Sequence, residues 1–554
     1  MSWKKILNDK FFEALPLLIL INTFALIFYW TKLSVNVLFY LIPLVIIVNL
    51  IVILFSFAFS AAYFKENLKK IKKRTWIILI LIFIGGFSLR AFVVPSTHRL
   101  LFDEDIYLNI AQNIANEGKS ILCNYGTPHK CFQGILNKQP NGLSVIISPV
   151  FFVFGAGEQI ASFFMILLSS FSVVLIFISV YLWFRNEKGA LFAALIMSLN
   201  PISLLFAPTI SAESAFVFFS LVTLMSLRVF LDKRDIPSIV FFVSSLAFPM
   251  QMRPEAPLLA APFVLFFIKE KIDRKIILGS LLFLVFISPY VFHSKHFLNE
   301  SWGNPEGYKF SSKYINNNLK VNGSFFFDNQ RFPIAYTFLA FLGIVYLYRS
   351  RKIMELSSML IWFLLFFIIY LLFYAGSFNY GIDVRFSQML FVPVFILGGM
   401  GAYFIPSLMV RFVRKKYISG AIVGTIITLS FIPYIGFVSA IGEEAWDART
   451  DHDFSINATK ELGANCVIFT HVPSMFLVNG NNALQTSYYS NPEIVNNIFI
   501  NYDCVLFHEG YWCVNYKPFR DTVCKSLKQN FSLKVYKSMS VRDKTYILYN
   551  MTKK

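Results

Sequence analysis

Apolar runs long enough to cross a bilayer recur along most of this 554-residue chain, and no other feature narrows its fold as far. A membrane helix needs about 20 apolar residues, and inside lipid each backbone N–H and C=O must be satisfied within its own segment. Thirteen spans are expected, over residues 14–30, 37–63, 76–94, 158–184, 189–207, 211–227, 237–251, 254–268, 277–292, 335–348, 356–375, 388–410 and 418–440. The short pair 237–251 and 254–268 meets at Met252-Arg253-Pro254-Glu255 and reads as a broken helical hairpin. Charged residues make up only 15% of the chain, against about 25% in an ordinary soluble domain. The expected fold class is an α-helical polytopic membrane protein with a small C-terminal extracytoplasmic α/β domain.

The chain carries 50 Lys+Arg against 31 Asp+Glu, a net +19, which in a soluble protein suggests nucleic acid. The position of the charges argues otherwise. Seven short breaks, 1–12, 64–75, 185–188, 228–236, 269–276, 349–355 and 411–417, hold 25 basic and eight acidic residues, so they carry +17 of that total. Basic residues in short loops resist translocation. These breaks are therefore assigned to the cytoplasm, with the N-terminus inside and the C-terminal region outside, and no nucleic-acid partner is expected. No cleavable signal peptide is expected either, since Trp30-Thr31-Lys32 follows the first run without a small-residue cleavage pattern.

All six cysteines, all seven histidines and the five Asn-x-Ser/Thr sequons (Asn299, Asn322, Asn457, Asn530, Asn550) fall on the outer side of this map. Cysteines on the oxidising side suit disulfides, with Cys123–Cys131 the easiest pair; the remaining connectivity is open. Three organisational blocks follow: 1–75, a pair of spans with a basic loop; 76–440, a membrane core with outer loops 95–157 and 293–334; and 441–554, the outer domain. In the first outer loop, Gly142 to Gly155 reads as an interfacial helix. The loop 293–334, rich in Asn, Gly and Ser, suits a mobile lid. In the tail, Cys466–Thr470, Cys504–Phe507 and Tyr546–Tyr549 read as buried strands.

Charged residues at a span end are costly to desolvate, so clusters of both signs there need a reason. Leu101-Phe102-Asp103-Glu104-Asp105-Ile106-Tyr107 sets three carboxylates in a row just after a span, and Ile106, Ile110 and Ile114 share one face of the helix that follows. Asp103 and Glu104 stand at that helix start, where the dipole favours negative charge. Lys138-Gln139-Pro140-Asn141-Gly142 precedes the interfacial helix, Glu213 opens a span, Arg253-Pro254-Glu255 sits at the outward break and Asp383-Val384-Arg385-Phe386 opens the penultimate span. Each alone reads as an interface anchor. Together they offer carboxylates for proton transfer and cations for an anion, as sugar transfer from a lipid phosphate requires.

At these residues the sequence resembles the GT-C glycosyltransferases, in the branch of protein O-mannosyltransferases and lipid A aminoarabinose transferases. The pattern DE-x-x-Y-x-x-x-A, then Gly, then K-x-P before an apolar run ending in Phe-Gly, is met by Asp103, Glu104, Tyr107, Ala111, Gly118, Lys138, Pro140 and Phe154-Gly155. Asn200-Pro201 followed by Glu213, and Arg385-Phe386 with Pro393, resemble later family features. The resemblance covers about residues 76–410 and implies a GT-C-like membrane core of about 13 helices. It also implies a polyprenyl- or dolichyl-phosphate sugar donor, a lipid, glycan or protein acceptor, and inversion at the anomeric carbon. Asp103 takes the place of the general base and Glu104 of an orienting group. Lys138, Arg253 and Arg385 take those of the phosphate holders, with Tyr107, Glu213, Glu255 and Asp383 among the substrate-binding set. Glu213 stands where relatives often have Asp, Phe386 replaces the usual Tyr, and two extra spans precede the DE segment. The WWDYG motif of oligosaccharyltransferases is absent, so transfer of a whole glycan to protein is not expected.

Three other readings stay open: a lipid-sugar flippase or transporter, a glycan polymerase or ligase using a lipid diphosphate donor, and a non-catalytic assembly subunit. No internal repeat is visible, whereas transporters usually show one. No cofactor is assigned; a divalent metal is allowed, with His293-x-x-His296 offering two ligands at helical spacing.

Overall fold

The computed structural model describes residues 34–95, 102–267, 273–297, 308–328, 330–379, 381–409, 416–439 and 445–554. The expected span 14–30 and the basic segment 1–12 lie outside the described residues, as does most of 411–417. The chain divides into two compact units, one made of residues up to 95 with 138–143 and 165–441, the other of 96–137, 144–164 and 442–554.

Among the described residues eight helices are long and apolar enough to cross a membrane: Val35–Phe59, Lys73–Val93, Glu158–Phe184, Ala212–Lys233, Arg274–His296, Ile353–Leu372, Asp383–Pro406 and Ile418–Ser439. Three further expected spans are shorter helices, Ile236–Gln251, Ala256–Phe267 and Ile334–Arg349. The run at 189–207 is broken. Glu187–Ser198 stops, and Pro201–Leu205 starts afresh under an Asn200 cap whose side chain accepts from Ser203 N, with Pro201 where no N–H is needed. The carbonyls freed at the break are met by Arg90, fully buried, which donates to Ser198 O (3.2 Å), Met197 O (3.3 Å), Gly86 O (3.0 Å) and Ser169 Oγ (3.0 Å). A guanidinium inside a membrane helix is thus accommodated at the negative end of a helix dipole.

Helix contact in lipid depends on close backbone approach at small residues. A Cβ on Gly343 would stand 1.9 Å from Leu397 O, and one on Gly401 would stand 1.9 Å from Leu339 O. Helices Ile334–Arg349 and Asp383–Pro406 therefore meet backbone to backbone. The basic breaks also meet. Asp232 accepts from Tyr63 (2.5 Å) and pairs with Arg228 (2.6 Å) and Arg185 (3.7 Å), Lys275 donates to Arg234 O (2.7 Å), and Thr75 bonds to Glu187. The ends of four separate breaks thus share one face of this unit, as alternating spans require.

The expectation of a lid over 293–334 does not hold for its described second half. Ile315–Phe325 is a helix, and its asparagines close the end of Ile353–Leu372. Asn318 donates to Tyr370 O (3.0 Å), Leu371 O (3.2 Å) and Phe373 O (2.8 Å). Asn322 donates to Gly376 O (2.9 Å) and accepts from Phe378 N (2.8 Å). The asparagine-rich composition supplies caps for orphan carbonyls. Asn322 is fully buried, so this sequon is no glycosylation acceptor in the folded chain.

The second unit is built on a seven-stranded sheet: β1 Leu122–Thr127, β2 Lys130–Ile135, β3 Cys466–Thr470, β4 Asn482–Gln485, β5 Cys504–Glu509, β6 Phe531–Val541 and β7 Lys544–Lys553, in the order β2-β1-β4-β3-β5-β7-β6. β4, β3 and β5 are parallel, and antiparallel hairpins extend both sides. The three expected strands are present within β3, β5 and β7. The sheet also recruits the first outer loop, since Tyr125 and Gly126 of β1 pair with Leu484 and Ala483 of β4. A short tail sheet gains a partner for its β4 edge this way. Disulfides join Cys123–Cys131, Cys466–Cys504 and Cys513–Cys524, leaving no free cysteine.

Candidate functional site

In the first unit, three turns at helix ends converge on Glu213. This residue lies in the first turn of Ala212–Lys233, Arg253 in the turn after Ile236–Gln251, and Arg385 at the start of Asp383–Pro406. Glu213 Oε1 lies 3.2 Å from Arg253 Nη1 and 3.3 Å from Arg385 Nε, so one buried carboxylate oxygen bridges two guanidiniums. Each arginine keeps a second acid: Arg253 Nε pairs with Glu255 at 3.1 Å, and Arg385 Nη2 with Asp383 at 3.7 Å. Tyr370 donates to Glu255 at 2.7 Å.

The ring of Phe386 lies under both cations, its centroid 4.7 Å from Arg253 and 5.3 Å from Arg385, and it stacks on Tyr370 at 5.3 Å. The Phe386 ring offers a cation–π face to both guanidiniums, and Tyr370 places a hydroxyl beside them on Glu255. Glu213 and Asp232 are 19 residues apart in one helix, hence about 29 Å at 1.5 Å per residue. The ion cluster therefore sits at the end of that helix opposite the basic breaks. Gly142 packs on the same region, where a Cβ would stand 2.6 Å from Gln251 O. Lys138, four residues earlier, is half-buried.

In the second unit, helix Asp103–Glu117 begins on the three-carboxylate run and ends at Gly118 with φ of 68°. Asp103 is half-buried, while Glu104, Asp105 and Tyr107 are buried. The helix is held along its length. Gln112 donates to Leu477 O and Pro128 O, both at 3.0 Å, Asn109 accepts from Cys123 N at 2.8 Å, and Ser144 donates to Tyr107 O at 2.9 Å.

Asp105 also belongs to a group that sequence reasoning did not find. It comes together with Glu158, at the start of Glu158–Phe184, and His452, in helix Trp446–Thr459, their ligand atoms all within 4.8 Å of one another. His452 Nε2 is 2.7 Å from Glu158 Oε1, and its Nδ1 is 3.4 Å from Asp453 Oδ1. Burial opposes charging of this imidazole. The hydrogen bonds to Asp453 and Glu158 and the charges of Glu158 and Asp105 outweigh it, and the pKa is pushed up to about 10. The only legible signal was the run Asp451-His452-Asp453. His293 and His296 form no metal-ligand group with other described residues. His293 lies buried against the Phe297 ring at 4.9 Å.

A second buried histidine, His508, meets Asp451 Oδ1 and Ser455 Oγ at 2.9 Å through Nε2, and Thr470 Oγ1 at 3.1 Å through Nδ1. Ser, His and Asp are all present, but the serine and the aspartate share one ring nitrogen. A nucleophile relay needs them on opposite nitrogens, so this group ties its helix to the ends of β3 and β5.

A family model described as dolichyl-phosphate-mannose-protein mannosyltransferase matches residues 138–293. No curated protein matches the chain in sequence. Among solved structures, ArnT from Cupriavidus metallidurans bound to undecaprenyl phosphate superposes with a TM-score of 0.56 at 13% identity, over 86% of this chain and 98% of that one. The archaeal oligosaccharyltransferase AglB from Archaeoglobus fulgidus, with an inhibitory peptide and a dolichol-phosphate, gives 0.48 at 12% identity, over 88% and 77%. Eight candidate membrane helices, the fold shared with ArnT and the match over 138–293 together show a multi-pass membrane protein that resembles the GT-C glycosyltransferases, on the side of the protein O-mannosyltransferases and ArnT.

Proposed function

We propose that the protein is a glycosyltransferase that moves a sugar from a polyprenyl- or dolichyl-phosphate donor to an acceptor hydroxyl on the extracytoplasmic side, inverting the anomeric carbon. The observation that carries this reading is the arginine pair bridged by Glu213 at 3.2 and 3.3 Å. Two guanidiniums held at the ends of membrane helices match a phosphate that arrives on a lipid. The match over 138–293 and a fold shared with a protein that binds undecaprenyl phosphate support it.

In the reaction, the acceptor oxygen bonds to the anomeric carbon as the bond from that carbon to the phosphate oxygen breaks. Asp103 takes the acceptor proton, and the electron pair leaves with the lipid phosphate, whose charge Arg253, Arg385 and Lys138 hold. Glu104 orients its neighbours at the start of that helix, and Tyr107 binds substrate. Glu213, Glu255, Asp383, Arg253 and Arg385 sum to −1, so the phosphate displaces a carboxylate from one guanidinium. Asp383, at 3.7 Å, is the weaker partner and the one that yields; Glu255 is also held by Tyr370.

The outward placement is supported by the +17 carried on the basic breaks and by three disulfides in the second unit. The test is purified protein with a labelled polyprenyl-phosphate sugar and candidate acceptors, wild type against Asp103→Asn. Release of lipid phosphate at the wild-type rate in Asp103→Asn would exclude Asp103 as base. Passage of intact lipid-sugar across vesicles without turnover would favour a flippase instead.

A further inference from the structure

We propose that Asp105, Glu158 and His452 form a divalent-cation site, taking a zinc- or manganese-class ion, that ties the helix bearing Asp103 to the C-terminal segment. The inference does not depend on the glycosyl-transfer reading. Three segments more than 50 residues apart in sequence bring one carboxylate each, or an imidazole, to within 4.8 Å. Asp105 is 1% exposed and His452 3%, and Glu158 is 16% exposed at its side chain. A divalent ion bound here takes the place of the imidazole proton on His452, which is released, and compensates both carboxylates.

The donor set narrows the ion. Two carboxylates and one imidazole suit borderline first-row ions, no thiolate is present for a soft ion, and calcium asks for six to eight oxygens. Metal–ligand bonds of about 2.0–2.2 Å place tetrahedral donors about 3.3–3.6 Å apart. The group therefore closes by at most about 1.2–1.5 Å, and the His452 to Glu158 contact of 2.7 Å opens by about 0.6–0.9 Å.

Two of the three ligands already carry the outer partners that metal ligands use. Asp453 Oδ1 stands 3.4 Å from His452 Nδ1, which leaves Nε2 as the coordinating nitrogen, and Asn479 Nδ2 donates to Glu158 Oε1 at 3.0 Å. Three protein ligands leave a fourth position open. His452 lies in the first helix of the C-terminal segment, and Asp105 lies two residues from Asp103. The ion is thus a cross-link between the segment that carries the proposed base and the tail.

The experiment uses the full chain in detergent micelles, stripped with chelator and then titrated with Mn²⁺ and with Zn²⁺. Loss of the free Mn²⁺ paramagnetic resonance signal and the zinc retained after desalting report stoichiometry. One equivalent of at least one ion is expected. Asp105→Asn and His452→Gln should each weaken binding at least tenfold, and Asp453→Asn, at a position 73% exposed, severalfold without unfolding the chain. Should the buried variants fail to fold, zinc-edge absorption on the wild type decides the matter. One nitrogen with oxygen neighbours supports the site, while several imidazoles or any sulfur overturns it. Failure of the wild type to retain either ion, or wild-type affinity in folded Asp105→Asn or His452→Gln, also overturns it.

Discussion

Replacing Glu213 with Gln removes one charge at nearly constant shape and tests whether the bridged arginines are one unit. Breaking a buried ion pair costs about 3–5 kcal/mol when the surviving charge is left alone. Neither arginine is left alone here: Arg253 keeps Glu255 at 3.1 Å and Arg385 keeps Asp383 at 3.7 Å. The expected loss is therefore smaller, about 2–3 kcal/mol, and it falls mainly on Arg385, whose remaining contact is long.

A double-mutant cycle separates the two. Glu213→Gln combined with Arg385→Gln should give a coupling of about 2 kcal/mol, and with Arg253→Gln about 1 kcal/mol. Equilibrium unfolding of the detergent-solubilised chain supplies all four corners of each cycle. Additivity within about 0.5 kcal/mol in both cycles would refute the bridge, and a coupling larger for Arg253 than for Arg385 would refute the ranking drawn from the distances.

Asp103→Asn should lower turnover about 10²–10⁴-fold, the usual worth of a general base, with little change in KM for the lipid donor; the labelled-donor assay reads both. Among the disulfides, Cys466–Cys504 closes 38 residues, Cys513–Cys524 eleven and Cys123–Cys131 eight. Paired Cys→Ser replacements should cost about 4 kcal/mol for the first and about 2.5–3 kcal/mol for the others on loop entropy, ranked by the shift in thermal midpoint. Gly343→Ala and Gly401→Ala place a methyl against backbone oxygen at 1.9 Å and should each destabilise by about 1–3 kcal/mol. Larger side chains there should lower the yield of folded protein on gel filtration. Asn318→Ala removes a donor shared by three carbonyls and should cost about 1–3 kcal/mol, where a mobile lid would show no loss.

How much of this was readable beforehand follows from the range over which each force acts. Spans and their alternation depend on local apolarity and loop charge, which a sequence displays directly; hence Ala212–Lys233, Arg274–His296 and Ile353–Leu372 lie within six residues of expectation, while the expected span 189–207 runs across the Asn200-Pro201 cap that divides it. The acid and base positions at span ends were visible because charge beside lipid is rare. Their pairing was not, since Glu213, Arg253 and Arg385 lie 40 and 132 residues apart and meet only through helix packing. The asparagines of 315–325 were misread because composition reports solubility, whereas Asn318 and Asn322 act through the carbonyls of another helix end. The group Asp105, Glu158 and His452 lies further still from any local rule. The acid runs around Asp105 and His452 are visible in sequence but not their meeting, and the recruitment of the first outer loop by the tail sheet, through β1 on β4, puts a DE-motif neighbour and a tail histidine in one folded unit. A loop assigned to the membrane core by its place in the chain is thereby folded with the C-terminal domain.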